Sequence, residues 1–151
     1  MALYYLDTSA LVKLYVQEPG TDRLLRLVRD SEENRMIVLA LSAVEVRSAI
    51  RRRQRTGDID PDTASFILDA LQRHVEGRFL RQPLNDTVLD GASEIIDRYA
   101  LRAYDAIQLA GCLAFQMGAG TERLTFVCSD QQLLAAARSE LLYVLDPSAE
   151  V

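Results

Sequence analysis

Five short apolar runs, at 3–6, 36–41, 79–84, 124–128 and 142–145, punctuate a chain whose remaining stretches repeat apolar residues every three or four positions. The runs are rich in strand-forming residues, and the periodic stretches have the spacing of amphipathic helices. Helices are predicted from Thr8 to about Gln17, from Asp22 to about Asp30, from Ser42 to near Gly57, and from Asp60-Pro61 to Gly77. Three more are predicted over 85–99, 101–117 and 131–139. Pro19-Gly20 breaks the first helix from the second, Pro61 suits a first helical position, and Gly118-Ala119-Gly120 stops the sixth. That sixth helix is the most apolar, with Ala106, Leu109, Ala110, Leu113, Ala114 and Met117 on one stripe, so it is expected at the centre. In the fifth, Val88, Leu89, Ala92, Ile95 and Ile96 are expected to face inward. Strands alternating with helices in this way are the signature of an α/β fold, a parallel sheet with helices packed against it.

The chemistry of the pattern lies where strands give way to helices. LYYL ends in Asp7, and the Thr8-Ser9 pair behind it offers an N-cap for the next helix. Glu45 falls in the first turn after the second strand, Asp105 in the first turn of the apolar helix, and Asp130 directly after the fourth strand. Each acid has a structural alternative, because carboxylates favour helix N-termini and Ser42-Ala43-Val44-Glu45 has the form of a capping box. Taken together they point further, since the carboxyl ends of parallel strands share one edge where ligands bind. Several carboxylates gathered there cannot all stay ionised without a counter-charge. An all-oxygen donor set suits Mg2+ or Mn2+, and such a site suits attack of a metal-bound water on a phosphodiester.

Composition narrows the alternatives. The 151 residues, 49% of them apolar, are expected to form one domain spanning 1–151 with a sizeable core. No apolar run approaches a membrane span and no signal-type segment opens the chain, so a cytoplasmic protein without membrane contact is expected. Cys112 and Cys128 lie within apolar runs and read as buried free thiols, and with His74 the only histidine a Cys/His zinc site lacks ligands. A net charge of −5 argues against a generally nucleic-acid-coated surface but allows a local basic face. The sharpest basic cluster, Arg51-Arg52-Arg53-Gln54-Arg55, is either an RNA or partner contact or a solvated helix face, since its arginines cannot all point one way on a 3.6-residue period.

LYYLDTSALVKLY, LSAVEV, RAYDAIQLAG and VCSDQQLLAAA resemble, in order and spacing, the four motifs of PIN-domain proteins, particularly the VapC-type ribonuclease toxins of toxin–antitoxin pairs. The resemblance implies a three-layer α/β/α fold with a five-stranded parallel sheet, Mg2+- or Mn2+-dependent cleavage of RNA, a homodimer, and a cognate antitoxin. By position, it makes Asp7 and Asp105 direct metal ligands, Glu45 a ligand or water-positioning acid, and Asp130 a ligand acting through water, with Thr8 and Ser9 in support. A PIN nuclease without a toxin role and a non-catalytic partner-binding domain remain the alternatives. An Asp-based phosphatase would want a second acid where this chain has Ser9. Phe66 and Tyr15 exceed what one small core needs, which also favours a dimer.

Overall fold

The computed structural model describes residues 1–120 and 124–150, and in it the expected alternation resolves into five strands and seven helices. Strands β1 (Ala2–Leu6), β2 (Asn34–Leu39), β3 (Leu80–Gln82), β4 (Thr125–Val127) and β5 (Tyr143–Leu145) form one sheet in the order β3-β2-β1-β4-β5. Every neighbouring pair is parallel. The chain lays β2 and β3 outward on one side of β1 and then returns to lay β4 and β5 on the other. The order therefore reverses between β1 and β4, which is where a parallel α/β sheet opens a crevice beyond its carboxyl ends.

Side-chain alternation along the strands separates two cores. Tyr5, Ile37, Leu39 and Phe126 face one side of the sheet, while Leu6, Met36, Val38 and Val127 face the other. Against the second face pack α1 (Thr8–Val12), α2 (Thr21–Arg29), α3 (Ala40–Arg55) and α4 (Pro61–Gly77). Against the first pack α5 (Asp86–Arg98), α6 (Ala103–Ala119) and α7 (Gln131–Ser139). The result is the three-layer α/β/α arrangement. Cys112 and Cys128 are free and buried in the first core, as expected. Among the described residues no helix is long and apolar enough to cross a membrane.

The departures from expectation have local causes. α1 is a short helix rather than one reaching Gln17, because the N–H groups of Lys13, Leu14 and Tyr15 bond the carbonyls three residues back and tighten the chain out of α-helix. Lys13 then turns inward to Glu18 at 3.2 Å. Tyr15 is not surplus aromatic surface, since its hydroxyl meets His74 Nδ1 at 2.7 Å, whereas Phe66 is 72% exposed. In α6 the buried residues end at Cys112, and Met117 is 79% exposed. Seventeen helical residues run about 25 Å, longer than strands of three to six residues, so the last turns overhang the sheet. Leu89 and Ile96 likewise lie at the open border of the α5 stripe, with Val88, Ala92 and Ile95 beneath.

At one point helix and sheet meet without room for a side chain. A Cβ on Gly111 of α6 would collide with the Tyr5 hydroxyl and stand 3.1 Å from Leu39 Cδ1. Tyr5 is fully buried there and stacks on Phe126, with ring centroids 5.7 Å apart.

Candidate active site

Asp7 follows the central strand and is held from both sides. Its N–H donates to the Val127 carbonyl at 3.1 Å, one residue beyond the β1–β4 pairing, so β4 fixes its backbone. Asp7 itself, not the Thr8-Ser9 pair, is the N-cap of α1: its Oδ1 accepts the Ala10 N–H at 2.9 Å and the Ser9 hydroxyl at 2.7 Å. A strand residue with an extended backbone and an acidic side chain is as good a cap as a hydroxyl, and it comes one position earlier. Both bonds fall on Oδ1, leaving Oδ2 as the oxygen available to a ligand.

Asp130 repeats this design at the neighbouring strand. It caps α7, accepting the Leu133 N–H on Oδ1 at 2.8 Å. Asp105 comes from the opposite direction, in the first turn of α6. Together with Ser9 these three acids line one side of a crevice of about 580 Å³ at the switch point. Arg102 and Gln132 line it as well, with Gln132 Nε2 donating to the Ala100 carbonyl at 2.5 Å.

Glu45 stands beside this crevice rather than in its wall, and it is reached through Thr8, whose hydroxyl donates to Glu45 Oε1 at 3.1 Å. The capping box read around it does not form. α3 begins at Ala40, with Leu39 as an N-cap that makes no side-chain bond, so Ser42 is already the third helical residue. It is fully buried and accepts a hydrogen bond from Gln108 Nε2 at 2.9 Å. The apolar pattern runs on through Leu39 and Leu41 without marking where strand becomes helix, and that hid the shift.

Gln108 is the residue the sequence reading passed over. It is 4% exposed, one turn after Asp105 on α6. Its Nε2 also donates to Thr8 Oγ1 at 3.1 Å, and its Oε1 accepts the Tyr5 hydroxyl at 3.3 Å. A glutamine inside the most apolar helix of the chain was the available signal, since a buried amide must find partners.

The electrostatics follow from burial and mutual repulsion. Asp7 is 6% exposed, and its pKa is raised to about 6, chiefly by desolvation and further by the charges of Asp105 and Asp130, against the Ala10 and Ser9 hydrogen bonds. Glu45 is shifted upward by burial and by Asp105, with the Thr8 and Gln108 hydrogen bonds pulling back. Asp105 rises through burial and Asp130, partly countered by Arg102. Among the described residues no three Asp, Glu, His or Cys side chains are grouped closely enough to hold a metal ion by themselves. The donors are all oxygen, and burial, with smaller contributions from neighbouring carboxylates, makes the ionised forms of Asp7, Glu45 and Asp105 costly at this edge.

The arginine cluster on α3 spreads around the helix. Arg53 is tied to Glu18 at 2.9 Å and Arg51 to Gln54 at 2.7 Å. Arg52 and Arg53 share a small hollow with Ser9, which also lines the acid crevice. Another groove, of about 550 Å³ between α5 and α6, carries none of the four acids.

A five-stranded parallel sheet whose switch-point crevice is walled by carboxylates defines an α/β protein with an acidic, oxygen-only site. The model of the PIN domain matches residues 4–138, and the chain belongs to that family. Ribonuclease VapC35 of Mycobacterium tuberculosis is 32% identical over 145 residues, covering 96% of this chain and 97% of its own. Ribonuclease VapC46 of the same organism is 32% identical over 149 residues, covering 98% of this chain and all of its own. Among solved structures, VapBC2 from Rickettsia felis bound to a DNA fragment from its promoter aligns over 95% of this chain and 97% of its own, with a TM-score of 0.66 at 12% identity. A toxin–antitoxin complex from Klebsiella pneumoniae aligns over the whole of both chains with a TM-score of 0.60 at 16% identity. Identities this low show shared fold alone.

Proposed function

We propose that the protein is a Mg2+- or Mn2+-dependent endoribonuclease, the toxin of a toxin–antitoxin pair, with the described chain working as one domain. The observation that carries this reading is the convergence of Asp7, Asp105 and Asp130 on one crevice, with Glu45 beside it. The relatives named ribonucleases align over nearly the full chain, which supports RNA as substrate. Toxin–antitoxin complexes among the structural neighbours support a cognate antitoxin as partner.

Asp7 and Asp105 hold the cation in this reading, Asp130 reaches it through water, and Glu45 binds it or orients the attacking water. A bound divalent cation supplies a water of lowered pKa and a counter-charge for the phosphate oxygens. Asp7 presents Oδ2 in a fixed direction because its Oδ1 is committed to the Ala10 and Ser9 bonds. Ser9 thus holds a carboxylate rather than touching RNA. Arg102 offers positive charge within the otherwise acidic crevice, placed to meet a substrate phosphate. Arg52, in the hollow that Ser9 shares with the crevice, extends that path for the RNA backbone. Exposed apolar side chains at Phe66 and Val44 support a homodimer or an antitoxin contact.

The test is cleavage of single-stranded RNA in Mg2+ by wild type beside Asp7→Asn. Metal-dependent cleavage that the substitution abolishes is expected. Equal activity in the two, or none in either under Mg2+ and Mn2+, would overturn the reading.

A further inference from the structure

Behind Glu45 lies a buried polar chain that none of the roles above uses. It runs from the Tyr5 hydroxyl through the Gln108 amide to Thr8 and Ser42, and from Thr8 to Glu45. Gln108 and Ser42 are almost wholly removed from solvent, and Tyr5 is fully buried. Buried polar groups of this kind are kept in order by counting protons, because each donor must find an acceptor.

The Tyr5 hydroxyl donates to Gln108 Oε1, so the Gln108 amide turns its nitrogen to the other side. The two protons on that nitrogen are directed at Thr8 Oγ1 at 3.1 Å and Ser42 Oγ at 2.9 Å, and the amide is also near enough to Glu45 to favour its charged form directly. Each hydroxyl is thereby made an acceptor toward Gln108, and its own single proton must leave in another direction. Thr8 has two acceptors within reach, Ser42 Oγ at 3.2 Å and Glu45 Oε1 at 3.1 Å. A carboxylate is the stronger acceptor, so the Thr8 proton goes to Glu45. Were the amide reversed, its oxygen would draw the hydroxyl protons inward, and Glu45 would lose its donor.

We infer that Gln108 is a positioning residue for Glu45: its buried amide fixes the direction of the Thr8 hydroxyl, and that hydroxyl holds the Glu45 carboxylate toward the acid crevice. The inference rests on the metal-site reading of the acids. Because Gln108 lies one turn from Asp105 on the same helix, α6 delivers an acid directly and sets a second one, carried by α3, through Thr8. One helix therefore registers two acids from different layers of the fold.

The experiment is calorimetric Mn2+ titration of the full chain, which needs no turnover. Gln108→Met and Thr8→Val keep side-chain volume while removing the amide or the hydroxyl. Each is expected to weaken Mn2+ binding about tenfold, the low end of what loss of an outer-shell partner of a metal ligand costs. Thr8→Ser should restore affinity to near wild type. In a Glu45→Gln background, adding Gln108→Met should change affinity no further, because the carboxylate it serves is gone. Wild-type affinity in Gln108→Met would overturn the inference, as would an equal loss with and without Glu45, which marks a packing effect. If Gln108→Met does not fold, Thr8→Val carries the test, and wild-type affinity there overturns it. Absence of Mn2+ binding by the wild type would instead bring down the metal reading on which the inference stands, a distinct outcome.

Discussion

Asp7 and Asp130 are the same local device in two settings. Each follows a parallel strand, Asp7 directly and Asp130 after a short turn, caps the following helix through Oδ1, and lines one crevice. They differ in depth. Asp7 follows the central strand and is 6% exposed, while Asp130 lies at the more open side of the crevice and is exposed. The capping motif therefore sets direction, and the position of the strand in the sheet sets electrostatic cost. Two acids that look alike in sequence come out unequal because one stands at the middle of the sheet.

The sharpest way to break the comparison is to neutralise each acid in turn. Asn caps a helix about as well as Asp, so both substitutions should keep the fold. Asp7→Asn should lower metal-dependent RNA cleavage by more than about a hundredfold, since even an outer partner of a metal ligand costs up to about that much. Asp130→Asn should lower it less, and the order of the two rates checks the assignment. Added Mn2+ should raise the melting temperature of wild type by mass action and leave that of Asp7→Asn nearly unmoved. A similar Mn2+ shift in both would remove Asp7 from the ligand set.

A second difference is in stability without metal. With a folded pKa of about 6 against 3.8 unfolded, Asp7 binds its proton more tightly in the folded state. Above about pH 6 it is ionised in both states and destabilises the fold by up to about 3 kcal/mol. As pH falls through 6 toward 3.8 that penalty is relieved, and below 3.8 it has vanished. Asp7→Asn should thus be more stable than wild type in chelator at pH 7.5, with the advantage shrinking toward pH 4. Urea unfolding at the two pH values measures it, and a constant difference would contradict the shift.

The junction between β2 and α3 gives an intermediate effect. If Ser42 were a cap, Ser42→Ala would cost about 1 kcal/mol of helix stability. Buried and bonded to Gln108, it should cost about 1–3 kcal/mol, because a buried amide N–H is left unpaired. Ser42→Cys, which offers a weak acceptor at the same place, should recover part of it. The smallest effect belongs to Asp130→Asn, whose stability in chelator should stay within about 0.5 kcal/mol of wild type, as for an exposed substitution that keeps its cap. Denaturant midpoints of the set order these three positions directly.

What could be read in the sequence was whatever repeats along the chain. Strand and helix periods placed all five strands to within a few residues, and the acids at strand ends were visible as interruptions of apolar runs. What could not be read was which hydroxyls serve which acids. Asp7 takes the capping role that Thr8 and Ser9 suggested, and Ser42 leaves the helix cap for the core, because both outcomes depend on Gln108 and Val127, far away in sequence. The overhang of α6 past Cys112 was hidden for a related reason: a helical stripe reports its own face, not the length of the sheet beneath it. The pattern put the four acids at strand and helix ends, and only the assembled fold shows their unequal burial.

The absence of a side chain at Gly111 makes α6 a lever. Its bare surface rests on the Tyr5 hydroxyl and Leu39, and that contact is the fulcrum. Asp105 and Gln108 sit up the shaft, about 9 Å and 5 Å along its axis at the helical rise. A methyl group added at Gly111 would press on Tyr5 and Leu39, and any yielding of the helix would carry both residues with it. The smallest increase in size at the back of the site would thus be felt twice, as strain of about 1–3 kcal/mol in a packed core and as pressure on the Tyr5 end of the polar chain.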